Sequence, residues 1–148
     1  MTEHIAEISW NRTSPGFTYE EYNRRHSWTF DGGAVVQGSA SPAFRGETDC
    51  VDPEEALVAA IASCHLLTFL AICARKRITV EAYEDRAVGV MTKNAAGKLW
   101  VSRVDLHPRV TFSNGVDVDA ATLEKLHHDS HVECFIANSV KTEIVVHS

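Results

Sequence analysis

Four cysteines, Cys50, Cys64, Cys73 and Cys134, are the side chains in this sequence most able to do chemistry. Cys64 stands inside "IASCHLLTFLAI", beside the small residues Ala59, Ala60, Ala62 and Ser63, which leave room next to a sulfur. About seventy residues later Cys134 stands in "HHDSHVECFIANS", approached by polar residues. Three kinds of chemistry are open to such thiols: inert packing, metal ligation, or redox work. His127, His131 and Cys134 are spaced i, i+4, i+7, so one helical face can present all three. With Cys64 they would supply ordinary zinc ligand types. A dithiol pair instead requires Cys64 and Cys134 to meet in space. Cys73 faces a different side of the helix and fits packing, and Cys50 lies in a loop with no partner pattern.

A nucleophilic cysteine acts as the thiolate, which needs a cation or a helix N-terminus to stabilise it. The candidates are Arg45, the pair Arg24 and Arg25, and His65. His65 is one helical position from Cys64, so its ring points about 100° away and is no direct base for its neighbour. An arginine has the stronger case, because it is always charged and its fork can orient an oxygen substrate. A glutamate would hold that arginine by a bidentate pair.

The elements that position these groups follow from the pattern. "HIAEISW" alternates as a half-buried strand, and "HSWTF" and "AVVQGS" flank "DGG" as a hairpin. Asp52, Pro53, Glu54 and Glu55 open a helix sharply, as N-cap, N1 and favourable charges at the positive end of the dipole. That helix should run to about Lys76. "ITVEAYEDRAVGVM" and "LWVSRVDLHPRVTF" read as two long alternating strands forming a hairpin, with Pro108 at an edge or bulge. Asp119 can cap a short amphipathic helix, further helical turns can follow in "VECFIANS", and "VKTEIVVH" closes the chain as a strand. The order is that of one α+β domain over residues 1–148. The long helix is apolar nearly all round, which implies burial on most sides and a partner chain, hence an obligate dimer.

Composition narrows the function. The chain is 45% hydrophobic and 23% charged, with a formal net charge of −6 and no basic run, which argues against nucleic-acid binding. "MTEHIAEISWNRTSPG" has no apolar h-region. The apolar stretch from Ala56 to Ala74 is interrupted by Ser63, His65 and Thr68, lies between "DPEE" and "RKR", and reads as a core helix, not a membrane span. The expected compartment is the cytoplasm, where thiols are normally reduced.

"DPEEALVAAIASCHLLTFLAI", followed about seventy residues later by "HVECFIANSV", resembles the OsmC/Ohr family of thiol-dependent peroxide reductases. The resemblance covers nearly the whole chain and includes the order of elements. It implies an OsmC-like fold, with antiparallel sheets wrapped around long central helices in an intertwined homodimer. It implies that Cys64 attacks an organic hydroperoxide, with hydrogen peroxide a further candidate, and that Cys134 resolves the product as a disulfide. A dithiol reductant, lipoyl-type or another thiol, then resets the pair, with no cofactor and no metal. The family's glutamate falls on Glu54 and its arginine on Arg45, with Arg25 in reserve. Leu66, Phe69 and Phe135 would line the substrate site. His65 stands where the better-known branches often carry Phe, and "FIANS" replaces their proline-containing continuation, so the resemblance is to a less characterised OsmC-like branch. The alternative on the same fold is a metal- or small-ligand-binding protein using His131, Cys134 and Cys64.

Overall fold

The computed structural model describes all residues from Met1 to Ser148. Packing resolves two compact units, Met1–Ala56 and Leu57–Ser148. No linker composition marks the boundary, because it falls inside the first turns of a helix.

The first unit is a meander of β1 (Ala6–Ser9), β2 (His26–Phe30) and β3 (Val35–Gly38), antiparallel in that order. The "DGG" signal forms the β2–β3 turn. Gly33 takes φ 89° and donates to the Phe30 carbonyl at 2.9 Å, a conformation natural to glycine. The chain then makes a 3-10 turn at Pro42–Phe44 and returns beside β3, where Ser39 and Val51 share a backbone bond of 3.0 Å. Gly46 permits this return, since a Cβ there would overlap the Ala40 carbonyl. Asp52 and Glu55 form a reciprocal capping box: the Glu55 N–H donates to the Asp52 carboxylate at 2.8 Å, and the Asp52 N–H to the Glu55 carboxylate at 3.4 Å.

Helix α1 (Pro53–Arg75) starts from this cap and runs on through the second unit. It ends in a Schellman motif. Arg77 sits at φ 60° while Ile78 N–H donates to Cys73 and Arg77 N–H to Ala74. The two long strands expected after it are each broken once. The first gives β4 (Val80–Asp85) and β5 (Val88–Lys93), and the second gives β6 (Leu99–Leu106) and β7 (Pro108–Phe112). Register survives the break: Asp85 faces Pro108 and Val88 faces Asp105, three residues further along each strand. Pro108, lacking an N–H, sits where the ladder is interrupted. Helix α2 (Ala120–Glu133) is capped by Asp119, which accepts from Thr122 N–H at 2.8 Å. After a 3-10 turn at Ala137–Ser139, β8 (Glu143–Val146) pairs parallel to β6.

Two apolar clusters hold the second unit. Ile61, Val104 and Leu106 form one, and Phe69, Ile72, Cys73 and Leu126 the other. Ile61, His65, Phe69, Ile72 and Cys73 are the buried stripe of α1. Its other face stays open in a single chain: Leu67 is 63% exposed and Leu70 37%. By length and hydropathy α1 is the one helix able to cross a membrane, but its buried stripe is committed to both clusters.

Candidate functional site

Cys64 and Cys134 come close enough for each to shift the acidity of the other. Cys64, half-buried in the middle of α1, lies near the thiol of Cys134, which caps the C-terminal end of α2 and is 1% exposed. Both are free thiols. Burial pushes the Cys64 thiol up, but the Cys134 thiol and the main-chain N–H groups of Ile136 and Phe135 outweigh it, so its pKa falls below the ordinary value. Cys134 goes the other way, raised by burial and by the same contact with Cys64. The Ala137 N–H donates to the Cys134 sulfur at 3.5 Å. The turn after α2 thus surrounds the two sulfurs with main-chain donors, an anion-favouring nest made without any cationic side chain. Sequence reasoning looked for an arginine or histidine here and missed these amides, which have no residue-type signature. The one available signal was the lack of proline in "FIANS", since a proline there would remove a donor.

His65 turns away from Cys64 into the core. Its Nε2 is 3.0 Å from Nδ1 of His127 on α2, with the rings stacked at 5.3 Å and 11°. Burial drives both imidazoles down to a pKa of about 4, with His127 and His131 adding to the effect on His65, so both are neutral at pH 7. The His127 ring also stacks on Phe69 at 4.5 Å. Nε2 of His127 and Nδ1 of His131 are buried without hydrogen-bond partners.

The expected substrate-lining residues separate. Phe69 is fully buried in the core between His127 and Tyr83 and offers no surface to a bound molecule. Phe135, beside Cys134, is 82% exposed, and Leu66 is half-buried. The metal alternative lacks convergence at Cys64, Cys134 and His131. The group of three ligand types whose atoms lie within 4.8 Å of one another is Glu47, Asp49 and Cys50. Arg25 already spans its two carboxylates, with Nε 2.6 Å from Glu47 and Nη2 2.9 Å from Asp49.

The first unit holds the remaining candidates. A groove of about 530 Å³ is lined by Trp10, Phe17, Tyr22, Phe44, Arg24 and Glu54. Arg24 lies flat over Tyr22, 3.7 Å from the ring centroid, and donates to the Tyr22 carbonyl at 2.6 Å. Arg45 is exposed, 5.9 Å from the Tyr19 ring, and does not line the groove. The arginine that shares a surface with Glu54 is therefore Arg24.

Comparison with known proteins gives the family and the fold. The family model for OsmC-like protein matches residues 46–148. An OsmC-like protein of unknown function from Vibrio cholerae is 48% identical, each chain covering 99% of the other, with a TM-score of 0.95. An organic hydroperoxide resistance protein OsmC from Legionella pneumophila shares the fold at 16% identity and TM-score 0.73, over 99% of this chain and 94% of that one. The organic hydroperoxide resistance protein OhrB of Bacillus subtilis shares it at 16% and 0.69, over 99% and 98%. Among curated proteins none matches. The fold, the element order and the matched residues agree: the chain belongs to the OsmC-like protein family.

Proposed function

We propose that this protein is a thiol peroxidase that reduces organic hydroperoxides through Cys64 and Cys134. The observation that carries this reading is the thiol contact, in which Cys64 is made the more acidic partner and Cys134 the less acidic one. Two solved structures of the same fold are those of organic hydroperoxide resistance proteins.

The Cys64 thiolate attacks the terminal oxygen of the hydroperoxide. The O–O bond breaks, the alkoxide leaves and takes a proton as the alcohol, and Cys64 becomes a sulfenic acid. The Cys134 sulfur then attacks the Cys64 sulfur, the S–O bond breaks, and water leaves as the disulfide forms. An external dithiol restores both thiols and is itself oxidised to a disulfide. Leu66 and Phe135 offer apolar surface for an organic substrate, and hydrogen peroxide would lack that contact.

Glu54 and Cys64 are ten residues apart on α1, about 15 Å of helix rise. They act on one peroxide only if Glu54 comes from a second copy, with an arginine beside it. Arg45 takes that role by its place before the proline-glutamate step, and Arg24 competes for it by lining the Glu54 groove. The open apolar face of α1 supports such a homodimer. The test is to mix reduced protein with cumene or tert-butyl hydroperoxide and count thiols. Loss of two per chain, abolished in Cys64→Ser, is expected, and no loss would end the peroxidase reading.

A further inference from the structure

We propose that His65 and His127 are positioning residues whose interhelical hydrogen bond holds Cys134 in attacking range of Cys64, an inference that rests on the peroxidase reading above. The pair joins the turn of α1 that carries Cys64 to α2, whose last turn ends in Cys134. Few other polar contacts tie the helices together here. Ser130 spends its hydroxyl on its own helix, donating to the Leu126 carbonyl at 2.6 Å. The Arg75–Glu133 pair is exposed, 63% and 52%, so its hold is weak. Leu126 packs into the core, but apolar contacts alone tolerate small slides of one helix along another. A directional bond between two rings that are 1% and 2% exposed does not.

The pair is poorly explained as a device for stability. Apolar side chains could fill the space without burying any polar atom, while the histidines leave Nε2 of His127 without a partner. A buried polar pair kept at that cost fits a need for register. The resolving step has such a need, because two free thiols must close to about 2.05 Å. A displacement of about 1 Å in such a step can cost about a hundredfold in rate.

The experiment measures how the Cys64 sulfenic acid partitions. A stoichiometric dose of tert-butyl hydroperoxide is given in the presence of dimedone, and mass spectrometry reads the ratio of Cys64–Cys134 disulfide to dimedone-labelled Cys64. This ratio reports resolution and is independent of how fast Cys64 is attacked. His127→Phe and His65→Phe should each lower it about tenfold or more. His127→Asn and His65→Gln, which keep a polar atom near Nδ1 and Nε2 respectively, should stay within about threefold of the parent. The double His65→Phe/His127→Phe variant should be no worse than either single, since both remove one bond. An unchanged ratio in the phenylalanine variants, an equal fall in the amide variants, or additive losses would overturn the proposal.

A second measurement needs no peroxide. Equilibration of the Cys64–Cys134 disulfide with a dithiothreitol redox buffer should show a tenfold or larger drop in disulfide stability in His127→Phe, and no drop would overturn the proposal. If the parent yields neither adduct nor disulfide with hydroperoxide but this shift is present, the peroxidase reading fails while the positioning role stands.

Discussion

The Cys64 and Cys134 thiols lie close together, and their proximity moves their acidities apart. Cys64 lies below the ordinary thiol value because donors from Cys134, Ile136 and Phe135 outweigh its burial, whereas burial and the neighbouring sulfur both raise Cys134. Alkylation with iodoacetamide, followed by mass spectrometry across pH, should therefore give a lower inflection for Cys64 than for an ordinary free cysteine. Cys134 should give a higher one. Cys134→Ala removes a donor and should move the Cys64 inflection upward. A higher inflection for Cys64 than for Cys134 would show the wrong residue named as attacker.

The open face of α1 makes a second expectation. Leu67 and Leu70 leave an apolar stripe that a lone chain exposes to water, which is unfavourable at roughly 25 cal/mol per Å². Light scattering on the native protein should give about twice the chain mass of 16.3 kDa. Leu67→Glu should shift it toward monomer and lower hydroperoxide turnover with it, because the proposed site draws Glu54 from a second copy. A native protein that stays monomeric at micromolar concentration would remove the dimer and the shared site.

Much of the fold was legible because local signals agreed with the tertiary result. Asp52-Pro53-Glu54-Glu55 announced α1, "DGG" the first hairpin, and Asp119 the cap of α2. The single break in both long strands was not legible, since alternation continues across Arg86 and Ala87 and only Pro108 hinted at it. At the site, the pairing of Cys64 with Cys134 came from the family resemblance, as spacing alone left packing and metal ligation open. The amide donors were invisible because main chain has no residue type. His65 looked misplaced in a greasy helix. Its position on the stripe of Ile61, Phe69, Ile72 and Cys73 was readable, but its partner His127, sixty-two residues away, was not.

The three arginines should separate by phenotype. Arg25 braces Glu47 and Asp49, so Arg25→Ala should lower thermal stability of the first unit while leaving turnover per folded molecule near normal. Arg45→Ala should instead lower kcat/KM for cumene hydroperoxide by about a hundredfold with little change in melting temperature, the usual scale for losing one donor to a developing charge. If Arg24→Ala shows that loss and Arg45→Ala does not, the role belongs to the arginine beside Glu54.

The buried histidines predict an acid limit on stability. His65 and His127 have folded-state pKa values of about 4, against about 6.5 when unfolded. Their surroundings supply no carboxylate partner on α1 or α2: His131 faces the pair from α2, and the β4 side contributes the Tyr83 phenol, itself pushed up by burial and Asp85. Between pH 4 and 6.5 the unfolded chain binds the extra protons, so stability must rise with pH through that window and be fully present above it. A ring titrating alone would contribute roughly 3 kcal/mol, at about 1.36 kcal/mol per pKa unit, and the linked pair less than twice that. Urea melts at pH 7, 6, 5 and 4 should show the fall. In the His65→Phe/His127→Phe variant the slope should flatten, because phenylalanine has no proton to gain. An equally steep slope in that variant would assign the acid sensitivity to other groups.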